Sequence, residues 1–143
     1  MHIEVNVCKS LIKHMYGEND GEPLRKDCKE ARMHRRAWIK RGVDGSKIMP
    51  NARWILPRAI RKKMNECISS MRFPTGYGAK LRGSCTKNDA SPPHGLKSHD
   101  YHKLMEHILP AAMRSCVTGT ETKLLRETIY ELSAIFRYFS SHL

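Results

Sequence analysis

Residues 95–110 read GLKSHDYHKLMEHILP and gather three histidines (His99, His102, His107) with Asp100, Tyr101 and Glu106. Imidazoles and carboxylates at short spacing can hold a metal ion, move a proton or contact a phosphate. Helical spacing limits the first option. At 100° per residue His99 and His102 are neighbours, His107 points well away from both, and Asp100 and Glu106 do not converge. Zinc asks for three or four ligands that meet, and His99 with His102 supplies two. The competing assignments are a metal site, a phosphate contact, and solvated or helix-capping side chains. On these spacings no metal ligand is assigned. Glu4 is read as a helix-start carboxylate with no paired carboxylate at a useful spacing. No nucleophile with an adjacent base can be recognised.

The elements that carry these residues read as helices. Ser98 is a helix N-cap and Asp100 lies in the first turn, where its charge favours the positive helix end. Tyr101, Leu104, Met105, Ile108 and Ala112 form an apolar face, giving a helix over 98–114 that Pro110 should kink or end. A first helix covers 3–16, with Ile3, Val7, Leu11 and Met15 on one row beside Cys8 and Ile12. A second, opened by Pro23, covers 23–41. It carries a thin apolar stripe (Leu24, Cys28, Ala31, Trp38), with Gly42 as its stop. A third covers 57–71 with Ile60, Met64, Cys67, Ile68 and Met71 inward, the methionines serving as core filler. The last covers 119–139, with Thr118 and Glu121 at capping-box spacing and Leu125, Ile129, Leu132, Ile135, Phe136 and Phe139 as its apolar face. Trp54, Ile55 and Leu56 dock the 42–56 loop on the core, with stacking of Trp54 on a base as the alternative.

No segment alternates like a strand, so the expected fold is all-α. It has four or five helices in a single helical region over 1–143: a basic half (1–71), a long Gly/Pro-rich loop (72–97) and a C-terminal helical pair (98–143). Within that loop GYGAKLRGS is glycine-rich and basic but lacks the GK[ST] end of a phosphate-binding loop.

The 143 residues carry 26 Lys+Arg against 14 Asp+Glu, a net charge of +12. Residues 1–63 hold 16 basic and 7 acidic side chains (+9), and residues 64–143 hold 10 and 7 (+3). A basic balance of this size fits an anionic partner such as nucleic acid, or the solvated half of a larger assembly, and a basic run taken alone reads equally as a solvated helix face. The candidate contacts are Arg25, Lys26, Lys29, Arg32, Arg35, Arg36 and Lys40 on the second helix, and Arg58, Arg61 and Lys62 on the third. If about six of them met phosphates, affinity would fall with salt at a log–log slope of roughly −5. The five cysteines are odd in number and form no CxxC pair, which favours a reduced compartment. No apolar run is long enough for a membrane span and nothing calls for a small-molecule substrate.

Three blocks, in order, resemble plant CACTA (En/Spm-like) transposases. MHIEVNVC (with His2 and Glu4) is similar to the MHIEKN-V-C block of that family. CISSMRFPTGYGAKL (with Cys67, Pro74, Gly76 and Tyr77) is similar to its Cys-x-x-Leu…Pro-Asp-Gly-Tyr block. GLKSHDYHKLMEHILPAAMR (with Lys97, Ser98, His99, Asp100 and His102) is similar to its Leu-Lys-Ser-His-Asp-x-His block. The C-terminal helix falls where the family has an aromatic-rich segment. Val5 stands for a family Lys, Thr75 for a family Asp, and Arg137 lies in the aromatic segment. The resemblance implies a parent that cuts and pastes DNA in the nucleus. Its ribonuclease-H-like core would use acidic residues and divalent metal, magnesium, on phosphodiesters. Two of those acids belong upstream of Met1 and the third beyond Leu143. This chain then corresponds to the helical region between the second and third acids, expected to be non-catalytic and without a cofactor of its own. Its expected partners are DNA and other transposase chains. The rival expectations are an independent DNA-binding or protein-interaction module derived from a transposon, and an enzyme using His99, Asp100 and His102.

Overall fold

The computed structural model describes residues 2–86 and 89–142 and is predominantly helical. In chain order the helices are α1 (His2–Met15), α2 (Glu22–Glu30), α3 (Arg58–Ser70), α4 (Ala79–Ser84), α5 (Ser98–Lys103), α6 (Leu109–Cys116) and α7 (Lys123–His142). A two-stranded antiparallel sheet, β1 (Lys40–Arg41) with β2 (Lys47–Ile48), pairs Lys40 with Ile48. No described helix is long and apolar enough to cross a membrane.

One hydrophobic cluster joins α1, α3, α4, α5, α6 and α7. It includes Cys8, Ile12, Met64, Ile68, Leu81, Leu104, Met113 and Ile129. On α1 the inward face is Val5, Cys8, Ile12 and Met15, at alternating steps of three and four. The expected row of every fourth residue is wrong at its start: Ile3 is 74% exposed. Steps of four advance 400° and drift 40° each time, so a four-spaced row leaves the buried face within a few turns. On α7 Ile129 is fully buried and Leu125, Leu132 and Phe136 half-buried, while Ile135 and Phe139 face solvent.

The second helix is much shorter than expected. It begins at Glu22 with Pro23 in its first turn and ends at Glu30. Arg32 and His34 then take left-handed conformations (φ 54° and 48°), a short 3-10 turn follows at Arg35–Ala37, and the chain enters β1. Gly42 closes the hairpin rather than a helix: its N–H donates to the Ser46 carbonyl at 2.8 Å, and Gly45 takes φ +81°. Among the described residues of 72–97 the chain is irregular except for α4, whose Leu81 is fully buried.

Pro110 neither ends nor breaks the helix that starts at Ser98. A π-turn at Leu104–Ile108 joins α5 to α6, and the Leu109 N–H reaches back five residues to the Leu104 carbonyl. Pro110 has no N–H to give the Glu106 carbonyl, its α-helical acceptor. The buried Ser133 hydroxyl of α7 donates to that carbonyl instead, at 2.7 Å. Ser133→Ala should therefore cost about 1–3 kcal/mol by leaving a buried carbonyl unpaired. A thermal melt indistinguishable from the parent's would reject this account.

Candidate functional site

The ten basic candidates divide by burial. Arg25 is 2% exposed. Its Nε and Nη2 donate to the two carboxylate oxygens of Asp20 at 2.5 and 2.8 Å, and its Nη1 donates to the Ala37 carbonyl at 2.6 Å. The guanidinium also lies 5.3 Å from the ring centre of Trp54. Hydrogen bonding from Arg25 holds the Asp20 carboxyl below its ordinary pKa, against the opposing effect of burial. Arg25 is thus an internal clamp rather than the exposed basic side chain expected of a DNA contact: its guanidinium is buried and committed to Asp20 and the Ala37 carbonyl. Arg61 is half-buried and donates to the carbonyls of Tyr16 (2.8 Å) and Ala90 (3.4 Å), so its guanidinium braces two loops. Lys26 shares Glu22 with Lys47, at 3.0 and 2.7 Å.

Lys29, Arg32, Arg35, Arg36, Lys40 and Arg58 are exposed, and Lys62 is half-exposed. They do not lie along one helix. Arg35 and Arg36 sit on the 3-10 turn and Lys40 on β1. The turn and the 51–54 segment enclose a cleft of about 220 Å³ lined by His34, Arg35, Arg36, Asn51, Arg53 and Trp54. Arg53 was not among the residues expected from sequence; its signal was its place beside Trp54 in a loop bounded by Pro50 and Pro57. Planar guanidinium groups converging on one concave surface match the several oxygens of a phosphate. Trp54 is held from two sides, by Arg25 and by an edge contact with His34 whose ring centre is 5.1 Å away. Leu56, fully buried, docks the same loop. Leu56 thus docks on the core as expected, while Trp54 and Ile55 are half-buried at its edge.

The residues of the three family-like blocks do separate jobs. His2 is exposed. Cys67 is half-buried beside Cys116, whose thiol burial pushes up to about 11. Pro74, Thr75, Gly76 and Tyr77 form a tight turn: the Tyr77 N–H donates to the Pro74 carbonyl at 2.9 Å and Gly76 has φ +78°. Lys103 then covers the Tyr77 ring at 4.2 Å. Lys97 and Ser98 are exposed; the helix begins at Ser98, and its N-cap is Lys97 rather than the expected Ser98. Asp100, 2% exposed, accepts from the Lys97 N–H at 2.9 Å, so its carboxylate caps the helix. His99 is largely exposed and touches the other Asp100 oxygen at 3.1 Å.

His102 and Glu4 meet. Nδ1 of His102 is in direct hydrogen-bond contact with Oε2 of Glu4, 98 positions away in sequence, where α1 packs on α5. Glu106, four residues after His102, brings a second carboxylate, and ligand atoms from the three side chains all lie within 4.8 Å of one another. Glu4 is 5% exposed, and its Oε1 is buried without a hydrogen-bond partner. Desolvation raises the Glu4 pKa, His102 opposes the rise, and Glu106 adds to it. The expectation that Glu4 has no carboxylate neighbour is corrected here. His102 and Glu106 are one helical turn apart, a spacing visible in the sequence, whereas Asp100 turns away to cap its own helix. His99 stays outside the cluster, and His107 reaches only its rim, with Nε2 3.6 Å from Oε2 of Glu106.

No model of a known protein family, no curated protein and no solved structure matches this chain.

Proposed function

We propose that the chain is a basic helical module that binds DNA without cutting it, derived from the helical region of a CACTA-type, ribonuclease-H-like transposase. It would act in the nucleus, alongside other chains of such a transposase. The observation that carries this reading is the arginine-lined cleft of Arg35, Arg36 and Arg53 with His34, flanked by exposed Lys29, Arg32 and Lys40. Lys40 and Arg41 extend the charge along β1 of the hairpin. Contacts of this kind go to the phosphate backbone, so binding should be sequence-tolerant and strongly salt-dependent. The three block resemblances support the transposon origin.

The test is fluorescence anisotropy with a labelled duplex of mixed sequence over a salt series. Reversing Arg35, Arg36 and Arg53 to Glu should weaken binding at least tenfold at low salt. It should also reduce the log–log salt slope by roughly 3, about one for each phosphate left without its arginine. Unchanged affinity in the triple variant would reject the mapping, and metal-dependent nicking of the duplex would reject the non-catalytic reading.

A protein-interaction module is the second reading. Leu124, Ile135, Tyr138 and Phe139 of α7 are exposed apolar side chains on one helix. An oligomer in solution that dissociates on Ile135→Glu would favour it.

A further inference from the structure

We propose that Glu4, His102 and Glu106 form a binding site for one divalent first-row transition-metal ion, which would pin α1 to the helix that starts at Ser98. The inference stands apart from the nucleic-acid reading, since none of these residues lines the arginine cleft.

Three observations carry it. The first is convergence: one imidazole nitrogen and one oxygen from each carboxylate lie within 4.8 Å of one another. Two ligand atoms about 2.0–2.2 Å from a common ion stand roughly 3–4 Å apart, so small side-chain adjustments complete the set. The second is enclosure. Side chains of Glu4, His102 and Glu106 are 6%, 17% and 13% exposed. Each is also supported by its backbone, on α1 for Glu4 and on α5 and the π-turn for the other two. The third is the unpartnered Oε1 of Glu4, an orphan acceptor on a side chain already bonded to His102 through its other oxygen. Buried acceptors without a donor are rare because each costs the free energy of its lost hydration. Two neighbouring carboxylates and an imidazole leave a surplus of acceptor capacity, and a cation is what such a surplus coordinates.

The donor set selects the ion. Mixed nitrogen and oxygen ligands suit manganese, iron, cobalt or zinc; an all-oxygen shell, as magnesium prefers, is not what these residues supply. Three protein ligands leave at least one position for water. The Ser140 hydroxyl donates to Oε1 of Glu106 and orients that carboxylate from α7. Orienting partners of this kind commonly tune affinity in metal sites. The ion would replace the direct contact between Glu4 and His102 with two metal–ligand bonds.

The test uses the full chain stripped with chelator and titrated with Mn2+ and, separately, Co2+. We expect one ion per chain by calorimetry, a rise in melting temperature on saturation, and a Co2+ absorption spectrum without a thiolate charge-transfer band. Glu4→Gln and Glu106→Gln should each weaken binding at least tenfold, while His99→Ala leaves it unchanged. If the glutamine variants fail to fold, Mn2+ relaxation measurements and the Co2+ spectrum of the parent chain decide the matter. A thiolate band, binding abolished with His99, or no saturable binding below millimolar metal would overturn the proposal.

Discussion

Asp20→Ala should remove roughly 3–5 kcal/mol of stability, the cost of stranding a buried charge by deleting its partner. Arg25 is 2% exposed and donates twice to Asp20, and no other carboxylate among the described residues is hydrogen-bonded to it. With Asp20 gone, the guanidinium keeps only the Ala37 carbonyl and the face of Trp54. The paired replacement Asp20→Leu with Arg25→Met should cost far less than the single change, because it removes both charges and leaves none unpaired. Urea denaturation of the two variants against the parent gives the comparison, and equal losses in both would show that shape rather than charge holds this corner. The same pair sets an acid limit. Asp20 has a depressed pKa in the folded chain, so its contribution is present above the unfolded value of about 3.9 and is lost as pH falls through the folded one. The Asp20→Ala variant should accordingly lose the part of the parent's acid sensitivity that lies below about pH 4.

Leu56→Ala should cost about 2–5 kcal/mol, the range for emptying a closed core position. Leu56 is fully buried, and its N–H donates to the Met15 carbonyl at 2.8 Å, at the end of α1. It is the anchor of the loop that carries Arg53 and Trp54. The substitution should therefore also speed hydrogen exchange at the Leu56 amide and weaken duplex binding. Leu56→Met, close in volume, should cost less than about 1.5 kcal/mol and spare binding. A folded, stable Leu56→Ala chain with unchanged exchange would mean that the loop is held by something else.

How much was legible from sequence depended on whether the deciding contact was marked by residue type and spacing. The stripe on α3 came through because Met64 and Ile68 repeat at helical spacing over a length with no competing signal. The break after Glu30 did not. Lysine and arginine are good helix formers, and no glycine or proline marks residues 31–41. The helix ends there through local backbone bonds that no residue type announces: the Met33 N–H donates to the Cys28 carbonyl at 2.8 Å and the Arg32 N–H to the Lys29 carbonyl at 3.0 Å, with Arg32 left-handed, and Arg25 then ties the returning chain at the Ala37 carbonyl. Those bonds also moved the candidate interface from a helix face to a turn and hairpin, and turned Arg25 inward. In the carboxylate–imidazole cluster the one-turn spacing of His102 and Glu106 was there to be read, whereas Glu4 joins through packing that no local pattern encodes.

The helix from Ser98 to Cys116, with its π-turn, receives α1 on its first half, α3 on its second, and α7 along the turn and second half. On a ribosome adding about 5–20 residues per second, α1 emerges some 5–20 seconds before that partner is complete. During the interval Leu56 can meet the end of α1 at Met15, but Val5, Cys8 and Ile12 lack the helix that covers them. The burial of this face therefore waits on some of the last helices to be made.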